Sequence, residues 1–200
     1  VEDLNVDLAI TNGGGVRASI DAGEWSYLTC KTVNTFGNQL CIVNVSGQAI
    51  LDGLELGAKG TPLNENNGCI LQSAGITYDI NTTIPDTVKV DEKGNWIGGP
   101  EAYRVTNVKV YNKETKAYEP LDLNKTYAMA GTNFILLNQG GGFNFVGATT
   151  LKDYIAEDYM AFSEYLKAFE DTDGDGLPNI TSAASPLAAY ENYVIDYEIW

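Results

Sequence analysis

The sequence predicts a mixed α+β domain, and three observations carry that prediction. Short apolar stretches with β-prone residues, such as Asp7–Thr11, Tyr103–Tyr111 and Tyr127–Gly131, recur along the chain between polar turns. Two other segments, 47–56 and 150–169, place apolar residues at helical spacing instead. The 200 residues are 44% hydrophobic and include 21 glycines, enough for a real core crossed by many turns. No composition shift marks a boundary, so the chain reads as a single domain over residues 1–200.

The first strand, Asp7–Thr11, drops into Asn12-Gly13-Gly14-Gly15-Val16-Arg17. Glycines without side chains leave N–H groups bare, and such a loop can form a concave nest for an anion. Asn12 adds amide donors at its entrance, and Arg17 adds a permanently charged fork that suits a carboxylate or phosphate. Taken alone, the run fits a flexible turn with a solvated arginine equally well. Its glycine spacing matches neither a P-loop nor a dinucleotide fingerprint.

Thr32–Phe36 and Gln39–Val45 read as extended, with Gly37-Asn38 as the turn between them. Ser46 reads as the N-cap of a helix Gly47–Leu56, whose apolar positions are Ala49, Ile50, Leu54 and Leu56 and whose C-cap is Gly57. Residues 60–68 form a loop, Ile70–Ile80 contains a short strand, and 81–100 is a turn-rich excursion of the hairpin-tip kind. Val105, Val108 and Val110 make Tyr103–Tyr111 a strand, and Asn112–Tyr118 is a polar turn. The strand Tyr127–Gly131 leads to Asn133-Phe134 and a second glycine run, Gly140–Gly142. Leu151, Tyr154, Ile155, Tyr159, Phe162, Tyr165, Leu166 and Phe169 give 150–169 the strongest helical pattern in the chain. The tail 182–200 reads as a Ser/Ala/Pro linker followed by a last strand.

Composition excludes several functions. A net charge of −15 argues against nucleic acid and anionic membrane surfaces as partners, and suits a soluble extracellular protein. The chain has no histidine, which removes Ser-His and Cys-His nucleophilic catalysis and nearly every catalytic zinc site. Cys30, Cys41 and Cys69 lack CxxC spacing and are odd in number, so they cannot all pair internally. Cys41, inside the apolar run Leu40–Val43, reads as a buried thiol. No apolar stretch is long enough to span a membrane, so no membrane insertion is expected. The chain opens on Val1, which reads as an excised piece with any targeting segment upstream.

Several landmarks fall in a recognisable order. Asn12–Arg17 is followed nineteen residues past Arg17 by Phe36-Gly37-Asn38, and then by Val45-Ser46-Gly47 opening a helix. Leu123–Tyr127 and Asn133-Phe134 follow, ahead of the second glycine run. This order resembles the C-terminal domain of the 5′-nucleotidases, secreted and periplasmic hydrolases of nucleotides and UDP-sugars, over about residues 5–170. The resemblance implies a layered α/β/β/α domain that binds a nucleotide or nucleoside. It further implies that the divalent metals and catalytic His-Asp pair lie in an N-terminal metallophosphatase domain of the same parent chain, so this chain is expected to be inactive alone and to need no cofactor for catalysis. Asn12 and Arg17 would then face phosphate or ribose, and Gly13, Gly14, Gly15, Gly37 and Asn38 are expected among the substrate-binding residues. Phe36 and Phe134 match the two family aromatics that sandwich the base, although read alone each fits plain core packing.

The chain departs from the family pattern at three places. Thr35 stands where the family has proline, and the helix that carries a further phosphate-binding arginine is represented only by Val1–Asn5. The second glycine run, Asn138-Gln139-Gly140-Gly141-Gly142, lacks the aspartate that holds the ribose hydroxyls. These departures leave room for a non-catalytic surface or adhesion module on the same fold, or for a hydrolase of cyclic nucleotides or nucleotide sugars.

A second candidate site lies at Asp171-Thr172-Asp173-Gly174-Asp175-Gly176. Alternating carboxylates around a glycine turn suit calcium, with Asp171, Asp173, Asp175 and Asn179 as ligands in a structural role. The run also fits a solvated acidic loop, since Ser182 stands where an EF-hand has its bidentate acid.

Overall fold

The computed structural model describes residues 5–63 and 67–180. In chain order the elements begin with β1 (Leu8–Asn12), α1 (Tyr27–Val33), β2 (Leu40–Ser46), α2 (Gly47–Gly57) and β3 (Leu71–Ala74). Then come β4 (Ile76–Ile80), β5 (Lys89–Val90), β6 (Trp96–Gly98), β7 (Val105–Asn112) and β8 (Ala117–Pro120). The last are β9 (Thr126–Thr132), α3 (Asn133–Leu136), β10 (Thr149–Lys152) and α4 (Asp158–Lys167). Five strands form the main sheet in the order β10-β2-β9-β1-β3, and β4-β7-β8 and β5-β6 form two smaller ones. The mixed α+β class expected from the sequence holds.

Register in the main sheet decides where the loops go. β2 pairs antiparallel with β9 along its whole length, from Leu40 opposite Thr132 to Ser46 opposite Thr126. β1 pairs parallel with β9, Ile10 opposite Gly131. The end of β1, the start of β2 and the end of β9 therefore share one edge of the sheet.

Helix α2 is the hub of the core. Ser46 caps it as expected, its hydroxyl accepting the Ala49 N–H. Ala49, Ile50, Leu54 and Leu56 are all buried, and the helix packs on β2 of the large sheet and β7 of the three-stranded one. Glu55 and Arg104 are buried beside them. The Glu55 carboxylate accepts the N–H groups of Arg104 and Val105 at 2.8–3.0 Å. The Arg104 guanidinium donates to the carbonyls of Ala58 and Thr61 just past the end of α2. This network fixes the helix to β7, and nothing in the periodicity of the sequence announces it.

Four elements differ from expectation. Residues 27–33 are helical, not extended up to Phe36: Ser26 and Thr29 form a reciprocal capping box, and Cys30 packs on Leu166 and Phe169. Cap and packing outweigh the β-branched character of Thr29, Thr32 and Val33. Only the second half of 150–169 is a helix. Thr149–Lys152 instead adds an antiparallel strand, with a bulge, to the open side of β2. Leu151 and Tyr154, expected on an apolar helix face, are exposed. The polar turn after Asn112 is shorter than expected, because Ala117–Pro120 pairs with β7 as β8. Gly57 is the last residue of α2, and Ala58 is its cap.

Ile70–Ile80 holds two strands, β3 and β4, and 81–100 contains the β5-β6 hairpin. The strand expected in 182–200 and the start of Val1–Asn5 lie outside the described residues. Cys41 is fully buried in the core, as its apolar neighbours predict, and burial pushes its thiol up to about 11.

Candidate functional site

The first glycine run ends β1 in a single 3-10 turn over Gly13–Gly15. Its N–H groups are not bare. Gly13 donates to Ile70 O at 2.8 Å, Gly14 to Gly68 O at 2.9 Å, and Val16 to Gly13 O at 3.1 Å. The expected open nest is therefore largely closed by the chain at 68–70. A Cβ on Gly14 would come within 3.0 Å of the Gly68 carbonyl, so close packing against this crossing segment accounts for glycine there. The Asn12 amide donates to the same Gly68 carbonyl at 3.3 Å. Arg17 remains the exposed cation of the loop. Its own N–H donates to Val33 O at 2.8 Å at the end of α1. Its guanidinium donates to Gly14 O at 3.3 Å and lies over the Phe36 ring, 5.6 Å from the centroid.

Phe36 sits between α1 and β2 and is 63% exposed. A core phenylalanine would not be. Gly37 turns the chain at φ +61°, and Asn38 then binds the start of α4. The Asn38 carbonyl accepts the Asp158 N–H at 2.8 Å, and its amide donates to Asp158 Oδ2 at 3.3 Å. Burial raises the Asp158 carboxyl above the usual range, against opposing hydrogen bonds from Tyr159 and Asn38.

Phe134 lies in α3, directly after β9, and is 39% exposed. Its ring covers Gly140, where an added Cβ would fall 2.3 Å from Cε2. The two phenylalanine loops are clasped together. The Asn133 N–H donates to Gln39 O at 2.7 Å, and the Gln39 N–H donates to Asn133 Oδ1 at 3.0 Å. The second glycine run rests on the tip of the β5-β6 hairpin, so that a Cβ on Gly142 would meet Gly94 O at 2.1 Å. Asp91 shapes that tip by accepting the N–H groups of Lys93 and Asn95.

The structure thus brings Asn12, Gly13–Gly15, Arg17, Phe36, Gly37, Asn38 and Phe134 to one edge of the main sheet. Sequence reasoning missed the clasp partner Gln39, the anchor Asp158 and the ring seat Gly140. Asn133, beside Phe134 and ahead of a glycine run, was the available signal for the clasp.

The acidic loop lies apart from this edge. Asp171, Asp173 and Asp175 are exposed and each offers a carboxylate oxygen within 4.8 Å of the others. Asp171 accepts the N–H groups of Gly176 and Gly174, which hold its carboxyl below the usual range, Gly176 foremost. Asn179 behaves differently from a waiting ligand. Its Oδ1 accepts from Thr172 N at 2.6 Å, Thr172 Oγ1 at 2.7 Å and Asp173 N at 3.2 Å, so it staples the loop shut. A cavity of about 700 Å³, bordered by Trp25, Tyr27, Leu166, Leu177 and Ile180, separates this loop from α1 and α4. Neither phenylalanine lines it.

Fold and loop placement together define an α+β domain that carries its candidate recognition residues on loops at one edge of a sheet. The chain belongs to the family of 5′-nucleotidase C-terminal domains, whose sequence profile matches residues 2–148. It is 32% identical over 142 residues to the NAD 5′-nucleotidase of Haemophilus influenzae, covering 71% of this chain and 21% of that protein. It is 33% identical over 156 residues to a 5′-nucleotidase of Vibrio parahaemolyticus, covering 78% and 24% respectively. The crystal structure of a 5′-nucleotidase precursor from Thermus thermophilus superposes with a TM-score of 0.65 at 32% identity, over 81% of this chain and 28% of that one. The chain spans about a quarter of the length of these relatives.

Proposed function

We propose that this domain binds the nucleoside phosphate substrate of a 5′-nucleotidase-type hydrolase and presents it to a metallophosphatase domain of the same parent protein. The observation that carries this reading is the convergence at one sheet edge of an exposed Phe36, a half-exposed Phe134 and the Arg17 cation, with the Gln39–Asn133 clasp between the two rings' loops. Two aromatic faces supply sequence-tolerant stacking for a base, worth about 1–3 kcal/mol each. An arginine within the same loop cluster supplies charge for a phosphate. The names of the relatives, an NAD 5′-nucleotidase and a 5′-nucleotidase, support the class of nucleoside phosphates rather than one member of it. With no histidine, the domain's part is recognition and positioning. The parent protein would act outside the cell or on its surface, a setting that suits a net charge of −15.

Titration calorimetry of the chain with AMP and adenosine tests the reading. Saturable binding that falls by about tenfold or more in Phe36→Ala and in Phe134→Ala is expected. Binding that survives both substitutions would overturn the stacking site.

The acidic loop is proposed as a calcium site held by Asp171, Asp173 and Asp175, with Asn179 keeping its role as staple. Three convergent carboxylates are the chemistry that supports it. Calcium should raise the melting temperature of the wild-type chain and leave Asp173→Asn unchanged; equal curves with calcium and with a chelator would dismiss the site.

A further inference from the structure

The Arg17 guanidinium is exposed, yet it is engaged by the protein's own groups. It donates to Gly14 O at 3.3 Å and lies over the Phe36 ring at 5.6 Å. The ring is the most exposed aromatic of the site, and the guanidinium lies against it. The Arg17 backbone is held at the end of α1, where its N–H donates to Val33 O, and from there the guanidinium lies over a face of the ring. A base needs a free ring face on which to stack.

Resting on the nucleotide reading above, we infer that Arg17 is a specificity-determining residue that covers the stacking face of Phe36 and leaves it only when a phosphate offers a better partner. The exchange is unequal by chemistry. An exposed guanidinium–ring contact contributes little, whereas a guanidinium–phosphate pair is charge-assisted and bidentate. A nucleotide brings the phosphate that draws Arg17 off the ring and the base that takes its place. A nucleoside brings the base alone and must displace Arg17 without compensation. One side chain thereby selects phosphorylated ligands twice, by attraction to the phosphate and by obstruction of its absence.

The test compares adenosine and AMP on the wild-type chain and on Arg17→Ala, a change at an exposed position. Adenosine should bind about two- to fivefold more tightly to Arg17→Ala than to wild type. AMP should bind about tenfold or more weakly. A simple phosphate ligand predicts the second change without the first. Adenosine affinity that is unchanged or reduced in Arg17→Ala would overturn the inference while AMP binding upholds the nucleotide reading; a wild-type chain and variant that both ignore adenosine and AMP would overturn both. Proton NMR supplies a readout that needs no nucleotide. The Arg17 side-chain protons should be shifted upfield by the Phe36 ring, return toward ordinary values in Phe36→Leu, and do the same when inorganic phosphate is added to wild type. Arg17 protons at ordinary values in the wild-type chain would equally refute the cover.

Discussion

At Gly140 the backbone passes so close under the Phe134 ring that a methyl group would overlap three of its carbons. Replacing this residue tests the ring's position without touching the ring. Gly140→Ala should push Phe134 from its seat and weaken AMP binding by about tenfold, a loss on the scale of one stacking contact. The fold should persist, because Phe134 is half-exposed and the pairing of β2 with β9 lies elsewhere. Calorimetry alongside circular dichroism would separate the two effects. Cys41 and Cys69 give a second contrast at this scale. Cys41 is sealed in the core with its thiol pushed up to about 11, whereas Cys69 is half-buried. A maleimide should therefore label Cys69 well before Cys41, as mass spectrometry of digested samples would reveal.

Among the elements, α2 concentrates the testable energetics. Tyr103 donates to Asp52 Oδ1 at 2.6 Å and receives the Gln48 amide at 2.9 Å, tying α2 to the segment before β7. Burial, and then the Asp52 carboxylate, push the Tyr103 hydroxyl up to about 12 from 10.0. The folded state thus holds this proton more tightly than the unfolded chain. Its stabilising contribution is complete below about pH 10 and disappears as pH rises through about 12. Tyr103→Phe should flatten that loss in alkaline urea denaturation and cost about 1 kcal/mol at neutral pH. How legible each element was depends on what fixes it. α2 was readable because its cap and its apolar spacing are both local to Ser46–Gly57. β10 was not, since Leu151 and Tyr154 sit at helical spacing and only the open side of β2 makes a strand of Thr149–Lys152. The same holds in the site. Arg17, Phe36 and Phe134 stand out as types in a pattern, while the Gln39–Asn133 clasp joins residues 94 apart and the closing of the glycine nest by residues 68–70 depends on a chain crossing.

For the whole molecule, the Glu55–Arg104 network joins the large sheet to the small one through α2. Glu55 satisfies backbone donors of Arg104 and Val105 in a site almost without solvent. Glu55→Ala would leave those donors unmet beside a buried guanidinium. A loss of about 3–5 kcal/mol in chemical denaturation is expected, and a loss below about 1 kcal/mol would show that the two sheets are held by apolar packing alone. The Gln39–Asn133 clasp has a different consequence, for descent rather than stability. It sits upstream of Asn138–Gly142 and joins the loops of the two rings through Gln39 and Asn133 alone, leaving to that run only the seat at Gly140. Replacements at Asn138 and Gln139 can accumulate over generations without disturbing the aromatic platform, provided that Gly140 still leaves room for the Phe134 ring. On the nucleotide reading proposed above, preference for a sugar could drift in such a lineage while the two rings that would take the base are inherited.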